Sequence, residues 1–484
     1  MIKAFKFIFT ILPFSLLGQQ TPLQNELKAL VSDVDLKNAS ISFYAFDIEN
    51  NLPVAFYDEN RALIPASTLK LITTATAFEI LGKETRFKTS ILYQGEIDTI
   101  NKVLNGNIII NGGGDPALGS HRFQNHYGAI FRKWAIEIKN LGIDSINGAI
   151  ITDATIFNNQ LPSTWIWGDI GNYYGAGANG LSVYENFYTL SLKSASEVGG
   201  KVEINSVTPK IPNLDLTNNI VSNSVGKDLA YIYGGPNQFN RLISGSIPKN
   251  RNEFNIKGSI PNPESLAAFL LNSRLNETGV KTKIKFLSAN TEDSLYNPKE
   301  TKEITYTESP TLFELIKLTN LHSINLYAEH LINHIGLKQN GVGSTISGTE
   351  AMLSFWRKSG IDVEGMSIFD GSGLSRFNAL TSKQLVDVLI YMHQKSKNKT
   401  DFYNTLSVAG KSGTLINIGK NTAAQGNIYA KSGYMNRVRS YAGYAKTKSG
   451  RTIAFAIIVN NYNCSAAAMK IKLERIMIQI AESN

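Results

Sequence analysis

The chain is organised around one apolar segment, Ile64-Pro65-Ala66-Ser67-Thr68-Leu69-Lys70-Leu71-Ile72-Thr73-Thr74-Ala75-Thr76-Ala77-Phe78-Glu79-Ile80-Leu81-Gly82. Proline suits the first turn of a helix and glycine suits the position just past its end. The residues between them are small or apolar on nearly every side. Since a helix that is apolar all round must be covered by protein, the segment predicts a helix buried within a domain.

Ser67 and Lys70 stand three residues apart at the start of this segment, so on a helix they share one face. Burying an ammonium group is costly unless it is paired or loses its proton, which lowers the pKa of a buried lysine. A lysine in that state can accept the proton of a neighbouring hydroxyl. The pair is therefore a candidate nucleophile with its base, and the alternative is a polar first turn without chemistry.

The Ser-x-x-Lys spacing alone is not specific, because it recurs at Ser224, Ser246 and Ser396. The first two of these lie among glycine or proline residues and the third lies in a polar run. Only Ser67 opens a long apolar helix, so its context and not its spacing makes it the candidate.

Length and composition indicate a folded protein of two or three domains. The chain has 484 residues, of which 43% are hydrophobic and 18% are charged. Met1 to Gln20 combines Lys3 and Lys6 with an apolar run and then Gly18. This pattern predicts a secretory signal peptide over residues 1–18, too short to span a membrane, and no cysteine follows it to carry a lipid anchor. We therefore expect an exported protein that is periplasmic or associated with the cell wall, with no integral membrane anchor.

The charge and the single cysteine exclude several classes of protein. Cys464 alone cannot form an internal disulfide or a cysteine-based zinc site. The formal charge of +9, or +7 without Lys3 and Lys6, would favour a polyanionic surface such as a cell wall, but a diffuse basic surface is the simpler explanation. No run of Lys and Arg is long enough to indicate nucleic-acid binding.

Two other patterns suggest ligands and fail on inspection. The glycines at 112–114 follow a predicted strand, but neither phosphate-binding fingerprint is present around them. His330 and His334 have the spacing of zinc ligands, but Glu329 precedes both, whereas the metalloprotease pattern places the glutamate after the first histidine. We interpret these residues as ordinary helix positions, and we expect no metal or organic cofactor.

Helical and strand patterns divide the chain into outer and inner parts. Two strands over 40–57 precede the Ser67 helix, whereas 89–300 reads as short strands, turns and a helix over Phe123 to Leu141, and looks like inserted material. From Ser309 onward helices dominate, followed by three strands and a closing helix.

Two short motifs in the last third of the chain are further candidates for site residues. Ser323-Ile324-Asn325 lies between two predicted helices. Lys-Ser-Gly occurs four times; Lys358 ends a helix and Lys448 lies in a hairpin turn, which leaves Lys411, in a glycine-flanked turn, and Lys431, on a predicted strand.

Three motifs of this chain occur in the order that is the signature of active-site-serine penicillin-binding proteins and related β-lactamases. They are Ser-x-x-Lys on a buried helix, Ser-x-Asn between helices, and Lys-Ser-Gly on a strand before the last helix. Ser67 and Ser323 are 256 positions apart. With this separation, Gly113-Gly114-Asp115-Pro116 and the 370–376 turn, the mature chain resembles the D-alanyl-D-alanine carboxypeptidase/endopeptidase family of class C low-molecular-mass type.

The resemblance implies an α/β (α+β) fold: a penicillin-binding, β-lactamase-like serine domain with an antiparallel sheet flanked by helices. It implies that this domain comprises 19–88 and 300–484 and is split by an inserted domain over 89–299, with a nested small β subdomain at about 198–260.

The resemblance also implies a role for each motif residue. Ser67 would attack the penultimate D-Ala carbonyl, Lys70 would be its base, Ser323 would pass the proton to the leaving D-Ala, and Asn325 would hold the substrate amide. The third motif would bind the terminal carboxylate, and the N–H groups of Ser67 and Tyr434 would form the oxyanion hole. The family usually has threonine where this chain has serine, so the expected substrate-binding residues of the motif are Lys431, Ser432, Gly433 and Tyr434.

The implied substrate points to a further set of contacts. Stem peptides of the diaminopimelate type carry a free amine one residue before the two D-Ala. Asp169 and Tyr174, in the aromatic loop Trp165 to Gly177, and Arg376 are the candidates to hold that ammonium and its carboxylate. The alternative is that Asp169 caps a turn.

The leading hypothesis is thus an exported serine D,D-peptidase acting on peptidoglycan stem peptides, with β-lactams as inhibitors. A serine β-lactamase would differ by deacylating penicillin fast, and the large insert argues against it. A catalytically weak wall-binding protein is the non-enzymatic alternative, and the three intact motifs argue against that.

Overall fold

The computed structural model describes residues 21–282, 286–289 and 296–483. The predicted signal peptide lies outside the described residues. The helices are α1 Pro22–Val31, α2 Lys70–Leu81, α3 Gln124–Tyr127, α4 Ile130–Asn140, α5 Trp167–Ile170, α6 Pro263–Glu277, α7 Leu312–His322, α8 Asn325–Asn340, α9 Thr345–Lys358, α10 Ser382–Gln394, α11 Lys399–Asn404 and α12 Ala466–Glu482.

The strands alternate with these helices along the chain. They are β1 Ser40–Asp47, β2 Leu52–Tyr57, β3 Lys88–Asp98, β4 Val103–Asn111, β5 Ser145–Ile146, β6 Ile150–Asp153, β7 Phe187–Lys193, β8 Glu203–Thr208, β9 Asp215–Asn223, β10 Tyr231–Tyr233, β11 Asn240–Pro248, β12 Phe254–Ser259, β13 Lys281–Thr282, β14 Phe286–Ser288, β15 Lys302–Glu308, β16 Ser407–Val408, β17 Ile428–Met435, β18 Val438–Lys446 and β19 Thr452–Asn460.

The first and last parts of the chain build one antiparallel sheet of six strands in the order β16-β17-β18-β19-β1-β2. Side chains of the central strand β19 alternate between two cores. Ile453, Phe455 and Ile457 pack with α1 and α12 on one face, and Ala456 and Ile458 pack in the core of α2, α8 and α10 on the other. The fold is therefore mixed α and β with an antiparallel sheet flanked by helices, which confirms the predicted fold class.

A second, mixed sheet forms from the middle of the chain. Its strands run in the order β13-β5-β4-β3-β15, and β6 pairs with both β4 and β14. Two three-stranded sheets, β10-β11-β9 and β12-β7-β8, form from the residues between β6 and β13. β15 at 302–308 pairs with β3 and not with the six-stranded sheet. The predicted domain boundaries stay a prediction.

The chain leaves and rejoins the six-stranded unit at neighbouring points. β3 and β15 are antiparallel with Lys88 opposite Glu308. Just outside this pair, the Ser309 N–H donates to the Phe87 carbonyl over 2.9 Å and the Phe87 N–H donates to Ser309 Oγ, also over 2.9 Å. The two crossings between the parts of the molecule are thus held together by reciprocal hydrogen bonds.

The predicted helix over Phe123 to Leu141 is wrong as a single helix. It is broken into α3 and α4 at Gly128, which has φ +58°. Glycine adopts this left-handed conformation without the steric cost that a side chain brings, so the chain turns there although the apolar spacing continues. Among the described residues, no helix has both the length and the apolar character needed to cross a membrane.

α8 lies at the centre of the molecule, between the two parts. Every residue from Leu326 to Gly336 is buried. One side of the helix packs on α2 and α9, and the other side faces the inserted region. The helix therefore joins the serine-bearing core to the middle of the chain.

Candidate active site

The segment around Ser67 is a 3-10 turn, Ala66–Leu69, that runs into α2. Ala66 has φ +49°, a conformation that is uncommon for a residue with a side chain and costs about 1–3 kcal/mol. It persists because the surroundings fix it: Ser440 Oγ donates to the Pro65 carbonyl over 2.6 Å, and Thr68 Oγ1 donates to the same oxygen over 2.7 Å. This turn holds Ser67 partly exposed at the start of the buried helix.

Lys70 is fully buried and has three polar neighbours. Its Nζ lies 3.0 Å from Ser67 Oγ, 2.6 Å from Asn325 Oδ1 and 2.6 Å from the Ser372 carbonyl oxygen. The Asn325 amide is oriented by its other end, because Nδ2 donates to the Tyr174 carbonyl over 2.7 Å. Two of the three neighbours are therefore acceptors only, and the third is a hydroxyl that can donate.

These contacts determine which neighbour the lone pair of a neutral Lys70 faces. A neutral amine has two N–H groups and one lone pair, and the two carbonyl-type oxygens use both N–H groups. The lone pair is left for the Ser67 hydroxyl. Burial lowers the pKa of Lys70 to about 7, against the pull of the Asp370 and Glu329 carboxylates, so the neutral form is well populated near neutral pH. The geometry and the pKa together suit a general base.

Two buried carboxylates hold the turn that supplies the Ser372 carbonyl. Glu329 on α8 accepts from the N–H groups of Gly371 and Ser372, at 3.2 and 2.8 Å. Asp370 accepts from the Gly373 N–H over 2.8 Å and from the Trp165 indole, also over 2.8 Å. Burial and the nearby Asp370 raise the pKa of Glu329 to about 8. The turn is thus fixed from both parts of the molecule.

Ser323 stands between α7 and α8 in the left-handed conformation, with φ +58°. The buried Lys431 Nζ on β17 donates to Ser323 Oγ over 2.8 Å and to the Ser432 carbonyl over 2.8 Å. Burial and the charge of Lys70 lower the pKa of Lys431 far below its usual range. Ser432 Oγ donates to Thr414 Oγ1 over 2.8 Å. Ser323, Lys431 and Ser432 thus form one hydrogen-bonded row beside the Ser67 turn.

Gly433 brings β17 against the nucleophile segment. A Cβ built there would lie 2.1 Å from Ser440 Oγ, 2.7 Å from the Pro65 carbonyl oxygen and 3.1 Å from the Ser67 nitrogen. No side chain fits in this space, so glycine is the residue that allows the close approach. Tyr434, the next residue, is exposed at the end of the strand, where its ring lies under the Arg439 guanidinium at 5.4 Å.

Asp169, Tyr174 and Arg376 also come together in the structure. Burial raises the pKa of Asp169, whereas the Arg376 charge and the Tyr174 hydroxyl act in the opposite direction. The Tyr174 carbonyl is the acceptor for Asn325, so the aromatic loop containing Asp169 and Tyr174 contacts the site directly. The structure thus places eleven sequence-predicted residues around one site: Ser67, Lys70, Ser323, Asn325, Lys431, Ser432, Gly433, Tyr434, Asp169, Tyr174 and Arg376.

Several residues of this site were not predicted from the sequence. Ser372, Glu329 and Asp370 complete the surroundings of Lys70, and Thr414 bonds to Ser432. The glycine-rich turn at 370–376 was recognised as a turn, and its short polar residues were the only signal available. Glu329 was interpreted as an ordinary helix residue, because its function depends on a turn more than forty residues further along the chain.

The histidines of α8 are buried and bonded to main-chain oxygens. His330 Nδ1 lies 2.9 Å from the Leu326 carbonyl and Nε2 lies 3.2 Å from that of Asn179. His334 Nε2 lies 2.9 Å from the Gly114 carbonyl, and its ring stacks on Phe87 at 3.7 Å. The Nε2 atoms of both histidines thus contact the middle of the chain, whereas His330 Nδ1 contacts the preceding turn of α8.

Known proteins resemble the chain over almost its whole length. The family described as "D-Ala-D-Ala carboxypeptidase 3 (S13) family" matches residues 23–482. The D-alanyl-D-alanine carboxypeptidase DacB of Haemophilus influenzae is 26% identical over 479 residues, 97% of this chain and 96% of that protein. The D-alanyl-D-alanine carboxypeptidase of Actinomadura sp. (strain R39) is 27% identical over 497 residues, 98% of this chain and 89% of that protein.

Solved structures agree with this fold. The crystal structure of penicillin binding protein 4 (dacB) from Haemophilus influenzae superposes with a TM-score of 0.81 at 24% identity, covering 96% of this chain and all of that one. The same protein complexed with a novel β-lactam gives a TM-score of 0.77 at 23% identity, with 94% and 98% coverage.

Proposed function

The chain belongs to the D-Ala-D-Ala carboxypeptidase S13 family and is a serine D-Ala-D-Ala carboxypeptidase, a hydrolase, and from this we propose that it is exported and cleaves D-alanyl-D-alanine bonds of peptidoglycan stem peptides through an acyl-enzyme on Ser67. The observation that carries the proposal is the arrangement at Lys70: both N–H groups of the neutral amine have carbonyl-type acceptors, and the lone pair is left for the Ser67 hydroxyl.

The first half of the reaction is acylation. Lys70 takes the Ser67 proton while Oγ forms a bond to the carbonyl carbon of the penultimate D-Ala. The N–H groups of Ser67 and Tyr434 receive the developing oxyanion, and Gly433 makes this possible by letting β17 approach the Ser67 turn. The C–N bond then breaks, and the proton that Lys70 took from Ser67 passes to the leaving amine by way of Ser323, which Lys431 holds over 2.8 Å.

The second half is hydrolysis of the ester. Water attacks the acyl carbon, its proton passes to Lys70, and the Ser67 hydroxyl is restored with release of the peptide. Lys431 and Ser432 bind the terminal carboxylate before cleavage, and Asn325 binds the substrate amide. β-Lactams acylate Ser67 by the same route, as inhibitors.

Asp169, Tyr174 and Arg376 bind the residue that precedes the two D-Ala. The Asp169 carboxylate receives its free ammonium, and the Arg376 guanidinium receives its carboxylate. The support is that the charge of Arg376 and the hydroxyl of Tyr174 both act on Asp169, and that the main chain of Tyr174 is bonded to Asn325.

Export rests on the lysine-flanked apolar run within Met1 to Gln20.

The test is the site of penicillin acylation. We expect one adduct by intact mass and its location on the 65–70 peptide. Ser67→Ala removes the adduct, and Ser224→Ala, which changes an exposed serine of the same Ser-x-x-Lys spacing, leaves it. An adduct that survives Ser67→Ala would refute the proposal. Product analysis on purified wall fragments then shows release of D-Ala, or cleavage of cross-links.

A further inference from the structure

A cavity of about 460 Å³ opens beside Ser323 and Asn325, on the side of the inserted region. This is the size of a site for a small molecule or a peptide segment. Its walls include Arg122, Lys257 and Phe187 from the inserted region. None of the steps derived above uses these three residues, although they share a cavity with two residues of the active site.

The floor of the cavity is aromatic and carries an ammonium group. Lys257 Nζ lies 4.4 Å from the centroid of the Phe187 ring and 5.9 Å from that of Tyr173. Within the described part of the chain, no carboxylate lies within ion-pair distance of Lys257. Aromatic faces attract a cation but do not neutralise its charge, so Lys257 remains able to bind an anion.

Arg122 is oriented toward the same cavity by a buried acid. Its Nε lies 3.2 Å from Glu185 Oε1, and Glu185 also accepts from Ser120 Oγ and from the Tyr327 hydroxyl. Since the contact to Glu185 uses only Nε, the two terminal nitrogens of the guanidinium are left for another acceptor.

Two carboxylates, Glu185 and Asp228, line the cavity together with the cations Arg122 and Lys257. Arg122 and Glu185 offset each other. Burial lowers the pKa of His121, and the charges of Arg122 and Lys257 add to this against the opposing charge of Glu185. Burial and Arg122 also lower the pKa of His322, so both histidines are neutral at pH 7. Asp228 accepts from the Ala230 N–H over 3.0 Å, and among the described residues no ion pair joins it to Lys257.

We propose that this cavity binds a carboxylate of the peptidoglycan peptide, held by Lys257 and the terminal nitrogens of Arg122, while the scissile bond lies at Ser67. An ammonium without an ion-pair partner can receive a carboxylate, and a guanidinium that lines the same cavity adds directional hydrogen bonds. The inference rests on the proposed function and adds to it a second anchoring point, distinct from the Lys431 row. The carboxylate belongs either to the stem peptide that becomes the acyl-enzyme or to the strand that leaves from a cross-link.

The experiment compares Lys257→Gln with the unchanged enzyme on matched substrates. One pair is a pentapeptide stem whose internal carboxylate, other than the one assigned to Arg376, is either free or amidated. The other is a cross-linked dimer with the corresponding carboxylate of the leaving strand free or amidated. We expect kcat/KM to fall about 10-fold on a free-carboxylate substrate, mainly through KM, and to stay unchanged on its amidated partner. Lys257→Arg should restore the activity.

The two substrate pairs identify the source of the carboxylate, since only the pair that carries it responds. Lys249→Gln, an exposed lysine of the inserted region, is the matched control and should respond on neither. Equal loss on free and amidated substrates, or no loss on any, would overturn the inference. If penicillin still acylates Ser67 in either case, the proposed function is unaffected. If penicillin no longer acylates Ser67, the proposed function itself is refuted.

Discussion

At the scale of single residues, the site depends on two buried lysines that differ in what surrounds them. Lys70 has two obligate acceptors and one hydroxyl within hydrogen-bond distance, whereas Lys431 bonds to a hydroxyl and to the carbonyl of its own neighbour, Ser432. No carboxylate forms an ion pair with either lysine among the residues that the structure describes. Since an unpaired buried ammonium is costly, both groups favour the neutral form, which is the form that can accept a proton.

The pKa of Lys70 predicts how acylation depends on pH. Because the pKa is about 7 and we propose the neutral amine as the base, the rate of acylation by a fluorescent penicillin should rise through pH 7 and level off above it. Lys70→Arg, which cannot lose its proton, should lower the rate about 10²–10⁴-fold. A rate that stays flat between pH 5.5 and 9 would contradict the assignment of Lys70 as base.

The sequence alone did not decide between two of the Lys-Ser-Gly motifs, and their lysines give a matched pair of variants. Lys431 is buried and bonded to Ser323, whereas Lys411 is exposed in a turn. Lys431→Ala should lower turnover of a D-Ala-D-Ala peptide by about 10² or more, because it removes a hydrogen-bond donor to the carboxylate and leaves Ser323 without its partner. Lys411→Ala should leave turnover within a factor of two. The reverse result would move the third motif to 411–413.

At the scale of elements, the nucleophile turn and strand β17 depend on each other. Gly433→Ala would place a Cβ 2.1 Å from Ser440 Oγ and 2.7 Å from the Pro65 carbonyl oxygen, so the strand or the Ser67 turn must shift. Misplacement by about 1 Å costs about 10² in rate. We expect that loss in penicillin acylation, with a circular dichroism spectrum unchanged from that of the parent. Normal acylation in the variant would show that the approach of β17 is not required.

The sequence predicts helices, strands and pairs of reactive side chains well where the pattern lies within one short segment. The Ser67 and Lys70 pair follows from a spacing of three, and β1, β2 and α8 follow from apolar periodicity. The two acceptors of Lys70, Asn325 Oδ1 and the Ser372 carbonyl, could not be predicted this way. They come from parts of the chain that meet only after folding, and no local pattern records that meeting. The break at Gly128 was missed because the apolar spacing runs through it.

At the scale of the whole molecule, α8 couples the stability of the two parts to pH. Its histidines are fully buried, and burial lowers the pKa of His330 to about 4 and that of His334 to about 3, from the usual 6.5. The unfolded chain therefore takes up protons below pH 6.5 that the folded chain does not. The free energy of unfolding should fall as the pH drops from 6.5 toward 4, by up to about 1.4 kcal/mol per pH unit for each histidine.

Urea unfolding between pH 7 and 4.5 checks this expectation. His334→Gln should reduce the slope of unfolding free energy against pH over that range, because glutamine does not titrate and can still donate to the Gly114 carbonyl. His126→Gln, which changes an exposed histidine, should leave the slope as it is. An unchanged slope in His334→Gln would mean that the acid sensitivity lies elsewhere.

The hydrogen bonds between Phe87 and Ser309 have an evolutionary consequence. Because both crossings lie side by side, a single recombination event can add or remove the stretch 88–308 without rerouting any strand of the six-stranded sheet. Such an event would uncover Tyr327, His330 and His334 on α8, whose partners Glu185, Asn179 and Gly114 all lie within that stretch. A chain without the stretch would therefore need different residues along that side of α8, so the two regions can change only together.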